Sequence, residues 1–471
     1  MNVPHTDASH MNVPYTDVPH MNVPHTDASP TDPPHMNVPY TGVPPMDVPH
    51  LDLPEGPGER RDRSRSGRTR ATAFPGAPSE ALGAQLAASR ADRVIYDLTG
   101  IEHQYDALLA ELPGTDVRFA LKACPVDDVL RCLADRGAGF DAASPAEIAQ
   151  ALRTGVSADR VHYGNTVKSD HDIAEAHRLG VRTFATDSVE DVAAIAAHAP
   201  GARVFCRLAT SGEGALWGLS RKFGCAPADA VRVLATARAA GLVPAGLSVH
   251  VGSQQMTGEA WQRALDSLAE TLVALDGLGI TPDHVNLGGG LPARGYLDRH
   301  GDPLDPPLDK MFAVIREGME RLTALTAAPL GLVMEPGRHL VADHGAVRAH
   351  VYRLTERVQP DGTRARWLYL SAGKFNGLYE MDQLRHRLVF PGHEDEAGEA
   401  YVPAVVAGPT CDSDDAYGGG RHPARVPRAV ASGDPVWILS AGAYATSYTT
   451  QGFNGIRPLP CVCTRAPEGH H

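Results

Sequence analysis

Val117-Arg-Phe-Ala-Leu-Lys122, Gly139-Phe-Asp-Ala-Ala-Ser144, Val161-His-Tyr-Gly-Asn165 and Arg182-Thr-Phe-Ala-Thr-Asp187 follow one another along a single stretch of the chain. Each is a short apolar run closing on a polar residue, and each is followed by an amphipathic helical stretch or a loop. Strands alternating with helical segments predict parallel β-sheet with crossover helices. The pattern runs on through residues 204–208, 247–252, 284–288 and 330–335, which brings the predicted strands to eight. Eight such units over about 220 residues suit a TIM-type (β/α)8 barrel, whose usual size is about 250 residues. After Arg338 strands recur without long helices between them, at 347–354, 366–370, 402–406, 436–439 and 458–464. This predicts a second, mainly antiparallel β domain. The early run at 94–98 precedes the barrel and is expected to pair into it.

Outward from this core the 471 residues divide into an arm and linker at 1–90, the barrel with its leading strand at 91–340, and the β domain at 341–471. Residues 1–60 hold 13 of the 38 prolines in a degenerate Met-Asn-Val-Pro repeat. So few large apolar residues cannot offset the entropy of ordering, so the arm is expected to be disordered. Its histidines lack a close-set ligand cluster, and no metal is expected. The run from Arg60 to Arg70 reads as a solvated linker. A net charge of -13 argues against nucleic acid or an anionic membrane as partner. Seven scattered cysteines do not form a secreted disulfide framework, and neither a signal-peptide core nor a spanning segment is visible. A cytoplasmic protein with reduced thiols is expected.

In a barrel of this kind chemistry sits at the carboxyl ends of the strands. Lys122, Asp141, Ser144, Asn165, Asp187, Arg207, His250, Ser253, Gly288, Gly289, Gly290 and Glu335 all fall there. Some have ordinary uses, since strand-end Asp and Ser often cap the next helix. The triple glycine after strand seven and Glu335-Pro-Gly337-Arg338 after strand eight occupy the place where barrels bind phosphate. Only five lysines exist, and Lys122 stands across the mouth from these glycines. A phosphorylated cofactor that needs a lysine amine is pyridoxal phosphate.

The ordered motifs Phe119-Ala-Leu-Lys-Ala-Cys124, Gly139-Phe-Asp-Ala-Ala-Ser144, His250-Val-Gly-Ser253, Gly288-Gly-Gly290, Glu335-Pro-Gly-Arg338, Gly408-Pro-Thr-Cys-Asp412, Gly442-Ala-Tyr444 and Phe453-Asn-Gly455 resemble the alanine-racemase-like, fold-type III pyridoxal-phosphate decarboxylases. Within that family the likeness is to the ornithine, lysine and diaminopimelate decarboxylases, ornithine decarboxylase above all. The resemblance implies that Lys122 binds the cofactor covalently, His250 stacks on its ring and Glu335 pairs with its ring nitrogen. It further implies that Ser253, Gly290, Arg338 and Tyr444 hold the phosphate. Asp141, Gly288, Gly289 and Gly337 complete the implied cofactor site. A carboxylate at the ring nitrogen favours its protonated form and speaks for decarboxylation over racemisation.

The same resemblance implies that Cys411 returns the proton to the α-carbon and that Asp412 meets the distal ammonium of the substrate. It implies a homodimer with shared active sites, Lys222 pairing with Asp415 across the interface. A second acidic substrate contact is expected from Glu380 or Asp382, between which the motif does not choose. A basic L-amino acid is the expected substrate, ornithine ahead of lysine. Diaminopimelate, arginine, a natural-product intermediate, or an inactive binding homologue are the alternatives.

Overall fold

The computed structural model describes residues 77–218, 222–359, 361–393 and 400–467. The proline-rich repeat and the arginine run lie outside the described residues, and so does the expectation of disorder made for them. Eight strands close into a barrel: Asp116–Ala120, Gly139–Ala142, Val161–Tyr163, Thr183–Thr186, Arg203–Arg207, Val243–Ser248, His284–Asn286 and Gly331–Met334. Neighbours are parallel throughout, and the ring closes where Val333 and Met334 pair with Asp116 and Val117. Phe119, Phe140, Phe184, Phe205 and Leu247 are all fully or almost fully buried. Strands covered on both faces are apolar almost continuously, which is what made them readable in order.

The helices that follow strands two, three and four start on serine. Ser144, Ser169 and Ser188 accept from the backbone N–H of Glu147, Asp172 and Asp191. The Ser144 cap is worth about 1 kcal/mol, and Glu147 Oε2 reaches back to accept from Ala143 N at 2.7 Å, just before the cap. Ser144, a candidate for the rim, therefore serves its helix.

The second sheet holds Arg93–Asp97, Gly345–Val358, Arg364–Leu370, Leu388–Val389, Tyr401–Ala407, Ala424–Pro427, Pro435–Ile438 and Cys461–Thr464. Most of its pairings are antiparallel, with two parallel exceptions. One of those corrects the expectation for the leading strand. Arg93–Asp97 does not enter the barrel but lies antiparallel to Gly345–Val358 and parallel to Cys461–Thr464. Its Val94, Ile95 and Tyr96 are fully buried, and an apolar run of that kind carries no mark of which sheet will cover it.

A small two-stranded antiparallel sheet beside the barrel mouth pairs Ala215–Trp217 with Ser253–Gln255, setting Trp217 opposite Ser253. All seven cysteines are free thiols. Among the described residues no helix is long and apolar enough to cross a membrane.

Candidate active site

At the carboxyl ends of the barrel strands, Ala120, Lys122, His250, Ser253, Gly289, Gly290, Leu291, Glu335, Gly337, Arg338 and Tyr444 line one cavity. Most of the residues expected to hold a cofactor thus meet in one place. Lys122 sits in a single 3-10 turn, Leu121–Ala123, where the first strand ends. Gly290 has φ +116°, a conformation open to glycine, and a Cβ on Gly337 would come within 2.7 Å of Ala123 Cβ. Bare backbone is therefore required on that side. Tyr444 arrives from the second domain with φ +64°, held by its N–H donating to Ala123 O at 2.7 Å. A non-glycine residue in that region costs roughly 1–3 kcal/mol, and such strain gathers at functional sites.

Behind the cavity lies a charged cluster. Asn286 Nδ2 donates to Glu335 Oε1 at 2.5 Å, while Asn286 Oδ1 accepts from Gly288 N at 2.8 Å. One amide thus ties the carboxylate to the triple glycine. His162 Nε2 lies 3.1 Å from Glu335 Oε1 and 3.7 Å from Asp141 Oδ1. Burial would raise the Glu335 carboxyl, but His162 and Asn286 outweigh it and hold the group well below the usual range. Burial and then the charge of Glu335 push Asp141 the other way, above that range. The surrounding barrel wall disfavours a charge on Lys122, yet Asp141, Tyr444 and Glu335 together leave its pKa raised. His250 is pushed down to about 3 by burial, then by Arg207 and Lys122, so its ring is neutral near pH 7. Gly252 N donates to His250 Nδ1, so the neutral ring carries its hydrogen on Nε2.

Other candidates are placed elsewhere. Glu380 and Asp382 line an adjoining cavity with Ser253, Tyr379 and Tyr444, and the two oxygens of Glu380 accept from Arg338 Nη1 and Nη2 at 2.7 and 2.6 Å. Asp382 accepts from Lys374 Nζ at 2.5 Å, and Lys374 donates also to Asp414. Asn165 Oδ1 accepts from Val167 N and Asp187 from Gly224 N, so both shape loops. Asp415 is 2% exposed and accepts from Lys374 N, Thr410 N and Thr410 Oγ1. Within its own chain it clamps together the loops that carry Thr410 and Lys374. Cys411 is exposed and Asp412 half-buried, and neither lines the Lys122 cavity of its own chain.

Two residues escaped the sequence analysis. His162 is the second residue of a three-residue strand and Asn286 the last of another. A polar side chain inside an otherwise apolar barrel strand was the available signal.

Asp141 Oδ1 and Arg338 Nε are buried without a hydrogen-bond partner in the chain. Buried polar atoms left unpaired are costly, and their gathering around a glycine-walled cavity with a lysine fits a phosphorylated pyridine ligand. Residues 98–342 match the family model for the pyridoxal-binding domain of pyridoxal-dependent decarboxylases. Ornithine decarboxylase of Caenorhabditis elegans is 30% identical over 381 residues, covering 78% of this chain and 86% of that one. Diaminopimelate decarboxylase of Pseudomonas fluorescens is 31% identical over 379 residues, covering 76% and 85%. The solved lysine/ornithine decarboxylase of Vibrio vulnificus, complexed with cadaverine, superposes with a TM-score of 0.69 at 27% identity, covering 81% and 96%. The barrel, the lysine cavity and these likenesses agree: the chain belongs to the fold-type III, pyridoxal-phosphate-dependent amino-acid decarboxylases.

Proposed function

We propose that the enzyme decarboxylates a basic L-amino acid, ornithine ahead of lysine, to the diamine and CO2. It does so in the cytoplasm, as a homodimer whose two active sites each draw on both subunits. Pyridoxal phosphate, when bound, supplies an electron sink for the pair left on the α-carbon as CO2 departs. Lys122 would hold its aldehyde carbon and Glu335 its ring nitrogen. Arg338, Ser253, Tyr444 and the glycine backbone at 288–290 and 337 would hold its phosphate.

Each side chain has a physical reason for its part. Glu335, kept ionised by Asn286 and His162, stabilises a proton on the atom it faces. The neutral ring of His250 can lie against a π-face without bringing a second charge. Asp141, beside Lys122, favours the charged amine while the site awaits its ligand. Cys411 is the proton donor to the α-carbon. Asn454 fixes it, taking Cys411 N on Oδ1 at 2.8 Å and donating through Nδ2 to Sγ at 3.2 Å. The exposed position of Cys411, with Asp412 half-buried beside it, suits delivery to the Lys122 cavity of a second subunit.

The substrate assignment is carried by Asp412. Glu380 and Asp382 are both neutralised by cations of their own chain, whereas Asp412 pairs with no cation among the described residues. Its Oδ1 accepts only the backbone N–H of Asp414 among those residues. Once covered by a second subunit, a carboxylate without a cation costs about 3–5 kcal/mol, more than the ~1–3 kcal/mol that one methylene can decide. A distal ammonium is therefore selected more strongly than chain length. With ornithine, lysine, arginine and meso-diaminopimelate offered in parallel, ornithine should show the highest kcat/KM and lysine should follow within about a hundredfold. Norleucine should be nearly inert. Asp412→Asn should cut kcat/KM for both diamino acids at least about a hundredfold while cofactor binding is retained. Equal turnover of norleucine and lysine would remove Asp412 from this role.

Cys411→Ala should still release CO2, but protonation at the α-carbon should slow by about 10²-fold or more. Part of the turnover should then end as an aldehyde, with the amino group left on the cofactor. Amine formation at the normal rate, without aldehyde, would mean that another group is the donor.

A further inference from the structure

The short segment at 373–375 reaches the loop at 411–415 from two directions. Lys374 N donates to Asp415 Oδ1 at 2.7 Å, and Lys374 Nζ donates to Asp414 Oδ2 at 2.5 Å. Backbone and side chain of one residue thus hold two consecutive aspartates of that loop. A Cβ on Gly373 or on Gly408 would collide with the Asp415 carboxylate, so bare backbone is what lets the two segments close on it. Phe375 lies against Phe453, ring centroids 4.6 Å apart, and its carbonyl accepts from Thr450 N at 2.9 Å. Asn454, next to Phe453, holds Cys411 through both N and Sγ. Lys374 itself is 8% exposed, and Asp382 Oδ2 accepts from its ammonium on another side at 2.5 Å. An ammonium buried between two carboxylates is a fixed point, because leaving it unmatched is costly.

From this arrangement we infer that Lys374 is a positioning residue for Cys411 and Asp412. Asp412, Asp414 and Asp415 put three carboxylates into four residues, and their mutual repulsion works against one compact loop. Lys374 takes up the charge of Asp414, while Asp415 is occupied by two backbone N–H groups and Thr410 Oγ1. Asp412 is left as the loop's carboxylate without a cation among the described residues, and its Oδ1 is aimed by the N–H of Asp414 at 2.8 Å. The contacts run from Lys374 to Asp414 and from Asp414 to Asp412, so the seat of the ammonium reaches the carboxylate proposed to select the substrate. Without the charge on Lys374, Asp414 would stand two residues away as a second, more exposed anion competing for the same distal ammonium. Lys374 moves no proton in this scheme and acts through the geometry of the loop.

The inference rests on the proposal that Cys411 returns the proton to the α-carbon, and the test keeps the two apart. Full-length holoenzymes of the wild type, Cys411→Ala, Lys374→Met, Asp414→Ala and the Lys374→Met/Asp414→Ala double variant are given ornithine or lysine, whichever turns over faster. The ratio of aldehyde to amine product is measured, together with hydrogen exchange of the backbone amides at 410–415. Lys374→Met should raise the aldehyde ratio about tenfold and speed the exchange by a similar factor, while affinity for pyridoxal phosphate stays within about twofold. Asp414→Ala should act in the same direction, and the double variant should stay within about twofold of Lys374→Met, because both changes cut one contact. An aldehyde ratio for Lys374→Met equal to the wild type, in a set where Cys411→Ala raises it, would overturn the inference and leave Cys411 as the donor. So would single effects that multiply in the double variant, which would give Lys374 a structural role apart from Asp414. If Cys411→Ala itself forms no more aldehyde than the wild type, the donor assignment falls and the part of Lys374 falls with it.

Discussion

Lys122→Ala should lose decarboxylase activity by at least about 10³-fold and bind pyridoxal phosphate only reversibly. No other lysine is placed to replace it. Lys168 is enclosed, donating to Asp191 and to the carbonyls of Asn165 and Ala185, and Lys374 is held between Asp382 and Asp414. Lys222 stacks on its neighbour Phe223, and Lys310 lies exposed in the helix Leu308–Ala324. Borohydride reduction of the holoenzyme followed by peptide mapping should therefore put the pyridoxyl label on Lys122, and a label on any of the other four would sink the assignment. The electrostatics add a sign. The local barrel wall opposes the charge on Lys122, but Asp141, Tyr444 and Glu335 prevail and raise its pKa, and only the uncharged amine can attack an aldehyde. Covalent attachment of the cofactor to apoenzyme should accelerate as the pH rises through neutrality, and Asp141→Asn should move that rise to lower pH.

Glu335→Gln is expected to lower kcat by about 10²–10³-fold while pyridoxal phosphate still binds. The amide can occupy the same space between Asn286 and His162, but it cannot favour a proton on the atom it faces. The loss should therefore appear in kcat, and the substrate KM should move little. Asn286→Ala, which frees both the carboxylate and Gly288, should show a smaller fall in the same direction. A Glu335→Gln enzyme within threefold of the wild type would mean that the ring nitrogen does not rely on this carboxylate.

The barrel was legible because its strands are covered on both faces, so each announced itself as an apolar run ended by a polar residue. The same property misled at 94–98, where burial on both faces is real but the covering sheet is the second one. Residues whose chemistry depends on strand-end position, such as Lys122 and Glu335, could be placed from order alone. Residues that act through partners could not. The roles of His162 and Asn286 exist only because strands three and seven both border Glu335's position in space. Glu380, Asp382 and Asp415 are similar carboxylates along the chain, and only their neighbours separate a clamp on Arg338 from a partner of Lys374 and from a brace for the Thr410 loop.

The pairing of Arg93–Asp97 with Gly345–Val358 and Cys461–Thr464 has a consequence for how the protein is made. The strand leaves the ribosome about 250 residues before its first neighbour and about 370 before its second. At roughly 5–20 residues per second it waits on the order of 10–50 s for the first of them. Val94, Ile95 and Tyr96 spend that interval without the sheet that buries them, while the whole barrel is being synthesised behind them. An unpaired apolar strand is a template for strands of other chains, so the nascent polypeptide is open to misassociation at this strand throughout that interval. Its second partner, Cys461–Thr464, follows more than a hundred residues after the first.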